Sequence, residues 1–230
     1  MLYLPKKTST VDSNRIAIWT HAYLGVYGVI FGNSTVPLNQ TQKFRKTTKM
    51  QLEPTEYCYF IGIGLPPNED RFFSALKATY SRLDEITSPP HITIKPPFFH
   101  RNESYIREKL TACCSTIDSF EVKISLVGSF AHKRNSTVFL APQKTAELKR
   151  LERRISDAFS FLPPEPDYHP HLTIGQRIPH AEVSQVKAQL RFQEISLQLL
   201  VTSVTLYQRK KSETWSPVVY CPLKIEDSDY

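Results

Sequence analysis

Pro90-His91-Ile92-Thr93-Ile94 recurs 80 residues later as Pro170-His171-Leu172-Thr173-Ile174. Both stretches read as short strands, rich in β-branched and apolar residues and entered through proline. In a strand, residues i and i+2 share a face. His91 and Thr93 therefore point one way, and Ile92 and Ile94 the other. The same holds for His171 and Thr173 against Leu172 and Ile174. Each strand offers an imidazole and a hydroxyl on one side and an apolar pair on the other.

The surroundings repeat as well. A strand over 57–64 (YCYFIGIG) is followed by Pro66-Pro67-Asn68 and a helix whose apolar face carries Phe72, Leu76, Tyr80 and Leu83. The His91 strand comes next, then a helix with Ile106, Leu110, Cys113 and Ile117. A third strand over 120–127 alternates Val122, Ile124 and Leu126. The second unit has a strand over 137–141, then a helix with Leu148, Leu151, Ile155, Ala158 and Leu162. The His171 strand and a helix with Val183, Val186 and Leu190 follow. A long strand over 195–208 comes next, and one over 218–221 could close the sheet. Phe60 to His91 spans 31 residues and Phe139 to His171 spans 32; His91 to Ile106 and His171 to Val186 both span 15. A period near 80 residues is too long for a solenoid. It predicts two similar lobes, about 56–128 and 136–223, facing each other across a cleft. Residues 1–55 form an extension of unknown role, and 224–230 a tail.

The repeat, not the triplet, carries the weight. Seven histidines and 19 threonines in 230 residues give about 0.6 His-x-Thr triplets by chance. Two five-residue matches at equivalent places are a far stronger signal. Two imidazoles and two hydroxyls around a small anion suit in-line chemistry at a phosphodiester. One neutral imidazole can take a proton and one imidazolium can give one near neutral pH. The threonine hydroxyls can donate to the non-bridging oxygens.

Composition narrows the alternatives. The net charge is +7 and the pI about 9.2, which favours phosphate-bearing partners. Only 7 glycines occur, and no GxxxxGK[ST] or GxGxxG phosphate loop. The four cysteines form no CxxC pair, so a zinc ribbon is not expected. His169 and His171 could share a metal, with Asp167 the nearest carboxylate, but nothing repeats His169 beside His91; no metal is expected. No GxSxG marks a nucleophile. Residues 16–42 carry no formal charge, and 16–31 are largely apolar after Lys6, Lys7 and Arg15. A signal or anchor there is the lesser reading, since polar residues interrupt a short run. A cytoplasmic protein is expected. The sequons at Asn33, Asn39, Asn102 and Asn135 would matter only in a secreted chain.

At these residues the sequence resembles the two-histidine phosphoesterase superfamily, whose hallmark is one H-x-[TS]-apolar motif per lobe. HITIKPPF and HLTIGQR are similar to its RNA 2′,3′-cyclic phosphodiesterase branch, also called the 2′-5′ RNA ligase-like family, over about residues 57–223. The resemblance implies an α+β fold of two pseudo-symmetric lobes, each an antiparallel sheet with helices, around a central cleft. It implies His91 and His171 as the catalytic pair, Thr93 and Thr173 as phosphate-binding groups, and no cofactor. The implied reaction is metal-independent hydrolysis of a 2′,3′-cyclic phosphate, on an RNA end or a small cyclic nucleotide, to a 2′-phosphate. Some relatives act on 2′-5′ linkages or ligate, and a non-catalytic RNA- or nucleotide-binding protein could keep the same cleft. A monomer without an obligate protein partner is expected. Simple alternation turns Lys95 to the side of Thr93 and places Arg177 two beyond Gly175, so either cation could hold phosphate. Phe98, Tyr168, Tyr207 and Trp215 could stack on a base.

Overall fold

The two motif strands lie side by side in the middle of one sheet. The structure, a computed structural model, describes residues 57–81, 87–210 and 213–225. Its elements are β1 (Tyr57–Gly64), α1 (Pro67–Tyr80), β2 (His91–Phe99), α2 (Glu103–Cys114), β3 (Phe120–Ala131), β4 (Ser136–Pro142), α3 (Ala146–Ala158), β5 (Leu172–Ile178), α4 (Val183–Phe192), β6 (Leu197–Val201), β7 (Ser203–Lys210) and β8 (Ser216–Pro222). The fold is α+β. Eight strands run in the order β6-β3-β4-β5-β2-β1-β7-β8, with antiparallel neighbours throughout.

Ile92 pairs with Leu172, and this contact joins the two halves of the sheet. The halves are not contiguous in sequence. The strand expected to complete the first unit, β3, pairs with β4 and β6 in the other half. Reciprocally, β7 pairs with β1. β3 and β7, one from each repeat, are thus exchanged between the halves, so the sheet does not divide near residue 130. The long strand expected over 195–208 is two strands, and only Thr202 separates them. β6 lies at one edge of the sheet while β7 flanks β1 near the other, so the chain passes between the halves at this point. The expected apolar run over 16–31 and the Leu83 position lie outside the described residues.

One large core lies on the side of the motif aliphatics. Ile92, Ile94, Leu172 and Ile174 cluster there with Phe73 of α1, Ile106 and Leu110 of α2, Leu148, Leu151 and Ile155 of α3, and Leu190 of α4. Burying one such side chain stabilises by about 1.5–3 kcal/mol, so the four motif aliphatics together contribute on the order of 6–12 kcal/mol. A one-residue slip would turn them out and the imidazoles in. Ladder hydrogen bonds, at about 1 kcal/mol each, could not offset that. Burial of the isoleucines therefore fixes where the histidines point.

Helix α1 is phased differently from expectation. Phe73 and Lys77 are buried, Leu76 and Tyr80 are half-buried, and Phe72 is 53 % exposed. Either phenylalanine fits an i, i+4 pattern, and packing selects Phe73. The helices also cross over: α1 packs on β5, and α3 on β2. Asn102 caps α2 by accepting from Tyr105 N–H at 3.0 Å. Among the described residues no helix is long and apolar enough to cross a membrane.

Candidate active site

Two matched hydrogen bonds orient the imidazoles. His91 Nδ1 donates to the carbonyl of Pro89 at 2.7 Å, and His171 Nδ1 donates to the carbonyl of His169, also at 2.7 Å. A carbonyl only accepts, so Nδ1 carries the proton in both rings and Nε2 is left to the cleft. The intervening prolines, Pro90 and Pro170, explain the motif's first residue. Each fixes φ and favours an extended residue before it, which holds the accepting carbonyl in place. His91 Nε2 lies 3.1 Å from Thr93 Oγ1. Tyr168 Oη donates to the carbonyl of Thr93 at 2.9 Å, tying the loop before β5 to β2.

Aromatic rings flank each imidazole on its own half. Phe60 and Tyr207 lie 4.5 and 5.8 Å from His91, centroid to centroid. Phe130 and Phe139 lie 5.0 and 5.1 Å from His171. Gly128 makes room for this second set: a Cβ there would collide with the Phe139 ring. The surroundings favour the neutral rings. Burial pushes His91 down to about 4, against the bond to Pro89, and the charges of Lys77 and His171 push the same way as burial. Burial lowers His171 too, again opposed by its carbonyl partner and aided by His169.

A titration follows. The His91 ring is expected to protonate near pH 4 instead of 6.5, read from its imidazole proton shifts by NMR. The unfolded chain takes up that proton at the higher pH. The resulting stability is complete above about pH 6.5 and is lost as pH falls towards 4. A His91 ring that titrates at 6.5 in the folded protein would contradict this account.

The two halves enclose a cavity of about 250 Å³. His91, Thr93, His171 and Thr173 line it together with Phe60, Lys77, Thr87, Ser88, Pro97, Gln176 and Trp215. Lys95 and Arg177 are not among these. Lys95 is 1 % exposed and paired with Glu152 Oε1 at 2.5 Å, with a second bond to the carbonyl of Pro163 at 2.7 Å. The cause is a β-bulge. Gly62 stands opposite Thr93 but Ile61 opposite Lys95, so Ile94 is an extra residue and the alternation reverses after it. The second strand does the same: Phe139 stands opposite Thr173 and Val138 opposite Gly175, which makes Ile174 extra. Gly175 takes the place of Lys95, and a Cβ there would press on Ile178 and Tyr80. Arg177 has a left-handed backbone (φ 54°), is exposed, and follows Gln176, which reaches the cavity instead.

Of the aromatic candidates, only Trp215 lines the cavity. Its ring is already occupied by the Arg209 guanidinium at 4.5 Å and by an edge contact with Phe60 at 4.7 Å. Phe98 packs beside Tyr59, and Tyr207 stacks on Phe60. His169, the other metal candidate, directs Nδ1 at the carbonyl of Asp167 at 3.1 Å. The sequence reading missed Lys77. The available signal was a lysine one turn after Phe73, on the inward face.

Comparison with known proteins gives four matches. The family model described as the 2′-5′ RNA ligase superfamily matches residues 66–213. A Bacillus anthracis protein provisionally named a phosphoesterase is 32% identical over 130 residues, covering 56% of this chain and 75% of its own length. TT0787 of Thermus thermophilus shares the fold with a TM-score of 0.50 at 14% identity, over 74% of this chain and 99% of its own. Escherichia coli LigT, solved with 3′-AMP, has a TM-score of 0.47 at 16% identity, over 74% and 99%.

Proposed function

The chain belongs to the 2′-5′ RNA ligase superfamily, and from that premise and the cleft we propose that it is a metal-independent phosphodiesterase. Its substrate is a 2′,3′-cyclic phosphate, on an RNA end or a small nucleotide, and its product a 2′-phosphate. The observation that supports this reading is the pair of imidazoles, each pinned by Nδ1–H to a carbonyl two residues back, on one cavity with Thr93 and Thr173.

The protons can be followed. His91 is the base, because its burial holds it neutral well below pH 7. Its Nε2 takes a proton from a water that attacks phosphorus, and a P–O bond to that water forms. The P–O3′ bond breaks opposite, and His171 as imidazolium gives its Nε2 proton to O3′. Burial disfavours that imidazolium in the empty cleft. The arriving phosphate anion opposes the effect and raises the proton affinity of the ring. Thr173, and Thr93 once its hydroxyl turns from His91 Nε2, donate to the non-bridging oxygens as charge builds there. Each half thus supplies one proton-transfer group and one hydroxyl.

The test is phosphorus NMR of 2′,3′-cyclic AMP incubated with the protein in EDTA. A single 2′-phosphate product supports the proposal. A 3′-phosphate would reverse the leaving group, and activity lost to the chelator would refute the mechanism. A protein that binds the nucleotide without turning it over would be a binding module.

A further inference from the structure

Helix α1 brings to the cleft a cation that the proton scheme does not use. Lys77 is 6 % exposed and lines the cavity beside His91, Thr93, His171 and Thr173. Its Nζ donates one hydrogen bond, 3.0 Å to the carbonyl of Ser88. An ammonium has three N–H donors. Among the described residues no carboxylate lies within ion-pair distance of it. Lysine is rarely buried without a partner, because desolvation disfavours the charge. Burial does push Lys77 below its usual range here, and Asp70 opposes the effect from a distance.

The pseudo-symmetry sharpens the case. Lys77 lies 17 residues after Phe60, and the same count from Phe139 reaches Ser156. Ser156 bonds back to the carbonyl and to Oε1 of Glu152, at 2.9 and 3.0 Å. In that half the buried charge, Glu152, is matched inside the protein by Lys95. In this half the buried charge faces an open cavity. Among the described residues no anion answers Lys77 as Lys95 answers Glu152.

We propose that Lys77 binds the phosphate of the substrate, its two remaining N–H groups directed at a non-bridging oxygen. This rests on the acid–base reading of the same cleft and adds the cation that neither Lys95 nor Arg177 supplies to the cavity lining. Near pH 7 the histidines of the empty site are both disposed to be neutral, so Lys77 carries the positive charge that attracts the anion. It also makes the cleft chemically asymmetric: Lys77 lines the cavity, and its counterpart Ser156 does not.

Inorganic phosphate is the probe. It is titrated calorimetrically at pH 7 into the full chain as wild type, K77M, K77Q and K77R. Loss of a charge-assisted hydrogen bond is expected to weaken phosphate binding about tenfold or more in K77M and K77Q. K77R is expected to recover most of it. KM for a 2′,3′-cyclic nucleotide is expected to rise in K77M by a similar factor, while Tm stays close to wild type. K77Q can still donate to Ser88, so it remains informative should K77M not fold. A folded neutral variant that binds phosphate as wild type does would overturn the assignment to Lys77 alone. A wild-type protein with no phosphate affinity would remove the site reading itself, and this role with it.

Discussion

Alanine at His91 or at His171 is expected to lower kcat/KM toward a 2′,3′-cyclic nucleotide by a factor of about 10² to 10⁴, the usual worth of a positioned acid or base. Neither ring anchors the main core, which lies on the opposite face of the strands. Tm should therefore fall by little, and the loss should be kinetic. The two substitutions should also fail to multiply. Once one proton-transfer group is gone the other has no partner in the concerted step, so the double variant should be scarcely worse than either single one. Residual turnover near wild type in a folded His91→Ala or His171→Ala protein would end the acid–base scheme. A fully multiplicative double variant would mean that the rings act independently of each other.

The second large effect is on stability. Lys95→Met leaves the Glu152 carboxylate, 4 % exposed, without its counter-ion. Ser156 and the Glu165 N–H still donate to it, at 3.0 Å each, but both are neutral. Breaking a buried pair from one side costs about 3–5 kcal/mol. For a chain of this size that lowers Tm by roughly 6–20 °C. The double variant Lys95→Met with Glu152→Met removes both charges and should recover much of the loss. Recovery should be incomplete, because the Pro163 carbonyl also loses its donor. A single variant that melts with the wild type would show that the pair holds nothing. The prediction matters for the site because the pair fastens α3 to β2 just past the bulge that separates Lys95 from Thr93.

Much of the centre of this molecule was legible because strand alternation is local. His91, Thr93 and their counterparts needed only a period of two and a matching context to be assigned a shared face. The misplaced cations trace to a single cause. Ile94 and Ile174 are ordinary strand residues, and nothing in their type marks the extra residue that reverses the alternation after each. Gly175, beside the second bulge, could have flagged that one; no glycine in β2 flags the first. The phase of α1 was ambiguous for a similar reason, since Phe72 and Phe73 are adjacent and only packing distinguishes them. Lys77 was lost with that phase. The exchange of β3 and β7 was illegible in principle. Which strand lies beside which is decided by contacts between residues far apart in the chain, and Thr202 offers neither glycine nor proline to mark where one strand ends and the next begins.

That exchange sets a timetable for synthesis. Tyr57 at the start of β1 pairs with Lys210 at the end of β7. While a ribosome is extending the chain, the first half of the sheet can form its inner pairing of β1 with β2, but the outer flank of β1 stays bare until residue 210 has emerged. Pairings this distant in sequence are slow to close, and a strand edge left open meanwhile invites association with other chains. The nascent protein therefore carries an unfinished edge while β2 to β6 are being made, and β7 then seals it.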